Sequence, residues 1–269
     1  MTRVLLTGHE GKIGRPTARA LAEAGYEVVG YDLASGGDVR DGAALREAAR
    51  GCRYVVHLAA IPRDALGTPE EIMDVNVYGT WNVLAAADAC DAARVVVASS
   101  IQALGVSETR PPDYLPLDDD HPSYARSAYA VSKRLVEEMC RAFTAARGIT
   151  TVCVRPVWVI APEELDDVRS VIEQLDSWGY RMWVDVRDVA TALVCALECP
   201  DPRHIAVLLA ADDVAGDRPS REAVADLGVP WRGRPLDGDP FRSLVDTRRA
   251  REALGWEPHH VWPRAFRPS

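Results

Sequence analysis

Short apolar runs alternate with segments of helical periodicity through the first 155 residues. The runs are continuous, as in Val55-Val56 and Val95-Val96-Val97, which is typical of parallel strands buried on both faces. They predict strands over Arg3 to Thr7, Glu27 to Asp32, Tyr54 to Leu58, Val95 to Ser99 and Thr151 to Arg155. Helices are predicted between them, over Ile13 to Ala24, Gly42 to Arg50, Glu70 to Ala89 and Ala125 to Arg147. This repetition indicates the α/β class, with right-handed crossovers that build a doubly wound parallel sheet of the Rossmann type.

The pattern changes after Pro156, where periodic segments become shorter and less regular. The segments that remain predict helices over Leu165 to Ser177, Arg187 to Glu198 and Thr247 to Leu254, and a strand over Ile205 to Ala210. We therefore expect a first domain over residues 1–156. A small C-terminal lobe over residues 157–269 would have elements that pack back on the core.

A glycine motif follows the first predicted strand. Thr7 runs into Gly8-His9-Glu10-Gly11-Lys12-Ile13-Gly14, and a helix is predicted next. Gly8 would allow a tight turn, Gly11 would let a pyrophosphate approach the backbone, and Gly14 would let the helix pack close to the sheet. The free N–H groups of a helix N-terminus suit phosphate oxygens. The first domain is therefore predicted to bind a dinucleotide.

The residue that ends the second strand indicates which dinucleotide is bound. Asp32 lies 18 residues after Gly14, where a carboxylate can accept both hydroxyls of the adenosine ribose. The same carboxylate would repel a 2′-phosphate, and Leu33-Ala34-Ser35 offers no basic side chain to offset this. We therefore expect NAD, while Lys12 and Arg15 keep NADP open.

A tyrosine and a lysine lie four residues apart in the predicted helix that contains Tyr129-Ala130-Val131-Ser132-Lys133. This spacing places both side chains on one helix face. Free tyrosine is a poor base at neutral pH, but a nearby ammonium, helped by an oxidised nicotinamide, would favour the phenolate. Tyr129 could then move a hydroxyl proton as hydride leaves or arrives, and Lys133 could hold the nicotinamide ribose. Ser99-Ser100 ends the fourth strand, at the edge where such sheets bind ligands.

Composition narrows the setting. Hydrophobic residues make up 48% of the 269 residues and charged residues 26%, as in globular proteins. The net charge of −9 argues against nucleic-acid or anionic-membrane partners. Apolar runs stay short of the roughly 18 residues of a membrane helix, and the glycine motif comes too early for a signal peptide. We expect a cytoplasmic protein.

Two residue types stand out against this composition. The six cysteines form no CxxC pair and are expected to be free thiols. His121, His259 and His260 lack metal-ligand spacing and are expected at the surface, so no metal site is predicted. The 31 basic residues include only two lysines, Lys12 and Lys133. A lysine retained in so arginine-rich a chain suggests that an ammonium is needed at that position.

Taken together, these motifs resemble the extended short-chain dehydrogenase/reductase family, the NAD-dependent epimerase/dehydratase group. The matching pieces are Thr7 to Gly14, Asp32, Gly37 to Asp41, His57 to Ala60, Asn76-Val77 with Gly79-Thr80, Ser99 to Gly105, Tyr129 to Lys133, Arg155-Pro156, Arg181 with Val186 and Asp188-Val189-Ala190, and Asp246 to Trp256. The resemblance implies a small-molecule substrate and a homodimer formed through the two long helices.

The resemblance also implies roles at matching positions. Asp38 and Val39 would flank the adenine. Asn76 would lie near the nicotinamide, and Ser100 would pair with the catalytic tyrosine. The implied cofactor-binding set is Gly8, Gly11, Lys12, Ile13, Gly14, Asp32, Asp38, Val39, Leu58, Ala59, Ala60, Asn76, Tyr129, Lys133 and Pro156.

Departures from the family pattern concern the substrate. Dehydratases of this group carry an Asp-Glu pair where Ile101-Gln102 stands, so dehydration is not expected. Only 24 residues separate Pro156 from Arg181, which favours a substrate smaller than a sugar nucleotide. The compact uronate-dehydrogenase type is most similar, with Pro162-Glu163 and Tyr180-Arg181-Met182, although it carries Asn-His in place of Ile101-Gln102.

The substrate site is expected to contain Ser100, Ile101 and Gln102. Arg169 and Arg181 are the candidates to hold a carboxylate or phosphate, because an arginine fork binds either anion through two hydrogen bonds. We expect an oxidoreductase that moves hydride to or from a secondary alcohol or ketone of a sugar-like molecule. Two alternatives stay open: a sugar-nucleotide epimerase with tightly bound NAD, and a non-catalytic dinucleotide-binding regulator.

Overall fold

A computed structural model describes residues 1–107, 109–175, 177–200, 203–232 and 239–266. Eight strands are found in these ranges, and six of them form the main sheet. The strands are β1 (Arg3–Thr7), β2 (Glu27–Tyr31), β3 (Tyr54–His57), β4 (Arg94–Ala98), β5 (Thr150–Pro156), β6 (Trp158–Ile160), β7 (Trp183–Asp185) and β8 (His204–Leu209).

Helices cover both faces of the main sheet, and most of them connect one strand to the next. They are α1 (Gly14–Glu23), α2 (Gly42–Ala48), α3 (Pro69–Ile72), α4 (Gly79–Ala89), α5 (Ala128–Arg147), α6 (Leu165–Leu175), α7 (Val186–Glu198), α8 (Ser220–Ala223) and α9 (Arg248–Leu254). Within the described ranges, no helix combines the length and apolar character that a membrane crossing requires.

The main sheet is wholly parallel, with strand order β2-β1-β3-β4-β5-β8. The chain moves from β1 to β2 on one side and then to β3 on the other, so the winding direction reverses between β1 and β3. In open α/β sheets, the crevice at such a reversal, beyond the carboxyl ends of the strands, is where ligands bind. The predicted doubly wound Rossmann sheet is confirmed.

Alternate strand residues face opposite helix layers, which explains the continuous apolar runs. Val4, Leu6 and Val56 belong to one buried cluster with side chains of α1 and α7. Leu5 and Val55 belong to a second cluster with side chains of α2, α4 and α5. Since both faces of the sheet are covered by helices, apolar residues are favoured at consecutive strand positions.

The segment predicted as one helix from Glu70 to Ala89 is interrupted. It consists of α3, a π-helical turn over Met73–Tyr78, and α4. π-helical turns are frequent at functional sites, and this one contains Asn76. The three-residue strands β6 and β7 pair in a separate small sheet and were not predicted.

The chain after Pro156 contributes to both parts of the molecule. β8 pairs with β5 along the edge of the main sheet, and α7 packs against α1. β6, α6 and β7 lie outside the main sheet, over a third apolar cluster that includes Ile160, Ile172 and Trp262. The division into a first domain over residues 1–156 and a small lobe over residues 157–269 stays a prediction.

Candidate active site

Five segments that follow the parallel strands meet at the carboxyl edge of the sheet. Gly8 follows β1, Asp32 follows β2, Leu58 follows β3 and Ser99 follows β4, while Pro156 ends β5. Because all five strands run in the same direction, residues at their carboxyl ends share one edge. The sequence motifs singled out above therefore converge on one cleft.

The glycine turn is too crowded for side chains at two of its three glycines. Gly8 has a φ of +72°, and a Cβ there would lie 2.6 Å from the Ala59 nitrogen. A Cβ on Gly14 would lie 2.7 Å from the Cα of His9. Gly11 is exposed, which leaves its backbone open to a ligand. Gly14 thus permits close packing within the turn itself, rather than between the helix and the sheet as predicted.

The Asp32 carboxylate is fixed at the end of β2 by backbone amides. Its Oδ2 accepts the Glu10 N–H at 3.0 Å, and its Oδ1 accepts the Ala34 N–H at 2.9 Å. Each carboxylate oxygen has a further lone pair, so both could still accept a ribose hydroxyl. This geometry and the open turn at Gly11 fit the adenosine and pyrophosphate parts of a dinucleotide.

Both basic side chains of the glycine turn contact acidic residues. The Lys12 Nζ donates to the Val159 carbonyl at 2.6 Å and forms an ion pair with Glu164. The Arg15 Nε donates to the Glu10 carbonyl at 2.9 Å, and its Nη2 lies 3.4 Å from the Glu10 carboxylate. Neither cation is therefore an unpaired partner for a 2′-phosphate.

The segment after β2, which contains Asp38 and Val39, is held in place by polar contacts. The Arg40 guanidinium donates to the Asp38 carboxylate at 2.6 Å and lowers the pKa of that carboxyl group. Val39 is buried, and a Cβ on Gly79 would lie 2.7 Å from its side chain. The Asn82 amide of α4 donates to the carbonyls of Val39 and Arg40, both at 3.1 Å.

The Asn76 side chain binds the backbone of the loop after β3. Leu58, Ala59 and Ala60 of this loop are half-buried. Its Oδ1 accepts the Ile61 N–H at 2.8 Å, and its Nδ2 donates to the Ile61 carbonyl at 3.1 Å. The second Nδ2 proton goes to the Ser132 hydroxyl on α5, at 3.0 Å. The amide thus joins this loop to the helix that contains Tyr129 and Lys133.

His57, at the end of β3, is a buried neutral imidazole. Its Nδ1 lies 2.7 Å from the Thr7 hydroxyl and its Nε2 lies 3.0 Å from the Thr80 hydroxyl. Thr80 donates its own proton to the Asn76 carbonyl, which assigns the ring proton to Nε2. Burial, and then the nearby Lys133 charge, lower the pKa of His57 to about 3. His57 therefore acts as an uncharged connector beneath the cleft.

The predicted catalytic residues come together at the start of α5. Ser127 caps this helix by accepting the Ala130 N–H, and the Tyr129 N–H is bound by Asp64 at 2.9 Å. The Ser100 side chain lies close enough to the Tyr129 phenol to lower the pKa of that phenol, against the larger effect of burial. The Lys133 Nζ lies 5.7 Å from the centroid of the Tyr129 ring and donates to the Ala98 carbonyl at 2.7 Å.

Burial governs the proton affinities of this pair. It lowers the pKa of Lys133 to about 8. Burial also raises the pKa of Tyr129; the nearby Ser100 side chain opposes that shift, and the charge of Asp64 adds to it. The expectation that Lys133, helped by an oxidised nicotinamide, favours the phenolate stays a prediction.

A buried ionic cluster, not recognised in the sequence, supports the catalytic residues. The Arg155 Nε and Nη2 donate to the two oxygens of Glu137 at 2.7 and 2.8 Å. The Ser99 hydroxyl donates to Glu137 at 2.6 Å, and the Arg155 Nη1 lies 3.4 Å from an Asp119 oxygen. Glu137 is one helical turn beyond Lys133, so the cluster fixes both α5 and the end of β4.

The cluster contains two carboxyl groups and one guanidinium, and Asp119 is the carboxyl group that Arg155 binds less closely. Arg155 is already bound by both oxygens of Glu137, and the Asp119 Oδ1 accepts the Leu208 N–H at 2.7 Å. Its Oδ2 is buried and has no hydrogen-bond partner among the described residues. Burial raises the pKa of Asp119 to about 7, against the opposing charge of Arg155.

The candidate substrate residues differ in their surroundings. Ile101 is buried, and the half-buried Gln102 donates to the Val106 carbonyl at 3.3 Å. Arg169 lies on the exposed side of α6 and donates to Glu173 at 2.7 Å, which is the arrangement of a surface ion pair. Arg181 is 2% exposed and donates to the Ala215 carbonyl at 3.3 Å. The two arginines therefore do not form one open anion site.

Other expectations can be compared with the structure. All six cysteines lie in the described ranges and are free thiols, as predicted. No cluster of His, Cys, Asp or Glu in the described part of the chain could hold a metal ion. His121 is buried rather than at the surface, because its Nε2 accepts the Asp113 N–H at 2.8 Å. The half-buried His260 pairs with Asp188 at 2.9 Å.

Comparisons with known proteins show which family the chain resembles. The sequence model of the NAD dependent epimerase/dehydratase family matches residues 4–207. An L-arabinose 1-dehydrogenase (NAD(P)(+)) from Haloferax volcanii is 30% identical over 230 residues, which cover 79% of this chain and 90% of that protein. A UDP-glucose 4-epimerase from Streptomyces lividans is 27% identical over 309 aligned positions, covering 95% and 91% of the two chains.

A solved structure shows the same fold with its cofactor. It is a short-chain dehydrogenase/reductase superfamily protein from Agrobacterium tumefaciens with bound NAD, which matches with a TM-score of 0.75 and 27% identity. The match covers 96% of this chain and 93% of that one.

A parallel sheet with a glycine turn, an aspartate at the end of β2 and a serine–tyrosine–lysine group is typical of dinucleotide-dependent enzymes of the short-chain dehydrogenase/reductase class. The chain belongs to the NAD-dependent epimerase/dehydratase family. NAD is its cofactor.

Proposed function

We propose that this enzyme is a sugar dehydrogenase that moves hydride between NAD and a secondary alcohol or ketone of a small, sugar-like molecule. The observation that carries the proposal is the placement of Ser100, Tyr129 and the buried Lys133 together at the carboxyl edge of the sheet. The similarity to an arabinose dehydrogenase supports a free sugar as substrate.

The proposed chemistry uses Tyr129 as the proton acceptor during alcohol oxidation. NAD, when bound, would accept the hydride of the substrate C–H bond, and the Tyr129 oxygen, in its phenolate form, would take the proton of the substrate O–H group. Ser100 would donate to the same substrate oxygen and hold it beside the phenol. Lys133 would fix the nicotinamide ribose and contribute positive charge, and the cycle runs in reverse for ketone reduction.

The remaining sequence assignments enter as the proposed cofactor site. Gly8, Gly11 and Gly14, with the backbone of Lys12 and Ile13, would bind the pyrophosphate, and Asp32 would bind the adenosine ribose. Asp38 and Val39 would lie beside the adenine. The cofactor channel would be lined by Leu58, Ala59, Ala60 and Pro156, and Asn76 would position this channel from behind.

For the substrate we propose Ser100, Ile101, Gln102 and Arg181. Arg169 is left out, because its guanidinium is engaged by Glu173 on the exposed side of α6. The Ile101-Gln102 pair offers no acid–base group for the elimination of water. The short segment between Pro156 and Arg181 favours a substrate without a nucleotide.

The test is net NADH formation. Purified protein would be mixed with NAD or NADP and with L-arabinose, other aldoses, uronates or UDP-glucose, and absorbance at the NADH maximum recorded. We expect stoichiometric NADH with a free sugar or uronate, a preference for NAD, and no reaction with Tyr129→Phe. Conversion of UDP-glucose without net NADH would support the epimerase instead. A folded wild type that binds neither dinucleotide would contradict both enzymes.

A homodimer is part of the proposal. Trp81 of α4 is 50% exposed and Leu135 of α5 is 41% exposed, although both helices belong to the hydrophobic framework of the molecule. Large exposed apolar side chains on neighbouring helices favour contact with a second copy of the same face. Light scattering should give twice the chain mass of 29.4 kDa, and Trp81→Glu should shift it towards the monomer.

A cytoplasmic location is also proposed. Six free thiols, four of them buried, suit a reducing compartment, where disulfides are rare. Fractionation of cells that express the protein from its natural gene would test this location.

A further inference from the structure

One side chain connects the glycine turn to the small lobe. Lys12 lies between Gly11 and Gly14, in the turn proposed to hold the pyrophosphate. Its Nζ reaches the Val159 carbonyl of β6 at 2.6 Å and forms an ion pair with Glu164. β1 and β5 are separated in the sheet by β3 and β4, so the chain after Pro156 must turn back along the carboxyl edge to meet Lys12.

The acidic partner is held firmly. Glu164 Oε2 also accepts the Ala161 N–H at 2.8 Å, which closes the single helical turn Pro162–Glu164. Burial opposes ionisation of Glu164, but its hydrogen bonds to Lys12 and Ala161 outweigh this and lower the pKa of the carboxyl group. The Glu164 carboxylate is therefore charged at neutral pH.

The contact itself is accessible to water. The Lys12 and Glu164 side chains are each 40% exposed, in contrast to the buried residues around Lys133. Half-exposed ion pairs are weak and screened by salt, so such a contact can open and re-form. A weak contact that joins two walls of a cleft controls passage more readily than it contributes to affinity.

We propose that Lys12 and Glu164 form a gate over the cofactor cleft, in which Glu164 positions Lys12 across the path of the dinucleotide. The inference rests on the proposed function, because it requires the dinucleotide to lie in this cleft. Glu164 is a positioning residue that acts through Lys12. Opening of the gate would limit both the entry and the exit of the cofactor.

A gate and an ordinary phosphate contact change binding kinetics differently. Loss of a gate raises the association and dissociation rate constants by a similar factor, so Kd changes little. Loss of an attractive contact to the bound phosphate raises the dissociation rate constant alone and weakens Kd. Stopped-flow mixing with NADH, followed by protein tryptophan fluorescence, measures both rate constants without any substrate.

The informative variant is Glu164→Gln, which keeps an oxygen to accept the Ala161 N–H and removes only the charge. We expect it to raise both rate constants about 3- to 5-fold and leave Kd within about twofold. Glu163→Gln is the matched control on the same helical turn and should behave as wild type. Raising the NaCl concentration to about 1 M should shrink the difference between wild type and Glu164→Gln, because salt weakens the pair.

The possible results separate this inference from the proposed function. Unchanged rate constants in Glu164→Gln, or a faster dissociation alone with a weaker Kd, would overturn the gate while leaving NAD binding intact. A wild type without measurable NADH binding would overturn the proposed function, and the gate with it.

Discussion

The two lysines of the chain lie at opposite ends of the cofactor cleft and in opposite environments. Lys12, in the glycine turn, is 40% exposed and paired with Glu164. Lys133, on α5, is 5% exposed and donates to the neutral Ala98 carbonyl. The charge of Lys12 is balanced by a carboxylate and screened by solvent. The ammonium of Lys133 is buried, and its hydrogen-bond partner is an uncharged backbone carbonyl.

The comparison shows that burial changes the proton affinity of a lysine. Burial lowers the pKa of Lys133 to about 8, close enough to neutral pH for the side chain to exchange a proton. The buried end also contains the Glu137–Arg155 pair, and its parts are fixed by several hydrogen bonds each. The exposed end is built from pairs that solvent screens. We therefore expect large effects at the buried end and small ones at the exposed end.

The largest effect is expected for Lys133→Met. Loss of the ammonium should reduce turnover about 10²- to 10⁴-fold, the range typical of residues that assist proton transfer. The fold should persist, because a buried charge is replaced by an apolar side chain of similar length. Turnover on the sugar that gives NADH, with circular dichroism as the folding control, measures this. Near-normal turnover would contradict the role of Lys133.

Removal of Arg155 should have the largest effect on stability. Arg155→Met leaves Glu137 as an uncompensated buried charge, which costs about 3–5 kcal/mol of unfolding free energy. The double variant Arg155→Met, Glu137→Leu removes both charges and should recover most of the loss. Urea unfolding of the three proteins gives the numbers. A double variant as unstable as the single one would show that packing, not charge, is responsible.

Asp119 should make stability depend on pH. Its folded pKa of about 7 lies above the usual value of an aspartate, so between these values the folded chain holds a proton that the unfolded chain has lost. The contribution of Asp119 to the free energy of unfolding therefore falls as the pH rises through this window. It is fully present only below the unfolded pKa.

Asp119→Asn isolates this contribution, because His57 and the other groups stay the same in both proteins. The unfolding free energy of Asp119→Asn minus that of wild type should be greater at pH 8 than at pH 5, by about 1–3 kcal/mol. Urea unfolding at the two pH values measures the change. An equal difference at both pH values would mean that the folded Asp119 ionises normally.

The smallest effect is expected at the exposed end. Arg15 is 72% exposed on its side chain and lies 3.4 Å from the Glu10 carboxylate. Exposed pairs of this kind contribute about 0–1 kcal/mol, so Arg15→Ala should unfold within that range of wild type. NADH affinity should also change less than threefold, by roughly the same reasoning. A larger loss of affinity would place Arg15 on the cofactor.

The elements with strong local signals could be predicted from sequence. All six strands of the main sheet were predicted, because two-sided burial demands consecutive apolar residues. The spacing of Tyr129 and Lys133 predicted that they share a helix face, and Ser100 was chosen over Ser99 from the family resemblance; their catalytic roles stay predictions. The glycine turn was recognisable from its spacing and from the helix that follows.

The features that were missed depend on contacts between distant segments. β6 and β7 have three residues each, too few to show a periodicity. The Glu137–Arg155–Asp119 cluster joins a helix, a strand and a loop that are far apart in sequence. Arg169 and Arg181 were both candidates to bind an anion, and only the fold shows that the first forms an exposed ion pair and the second is a buried side chain.

The chain contains only two asparagines. Both lie on the same helical stretch, and the amide group of each binds the backbone of a loop. Asn82 holds the segment after β2, and Asn76 holds the loop after β3. The helical residues between Asn76 and Asn82 therefore set the distance between the two loops that a bound dinucleotide would contact. Deleting one residue between the two asparagines would rotate one amide relative to the other by roughly 100° about the helix axis, and no side-chain substitution could restore both contacts.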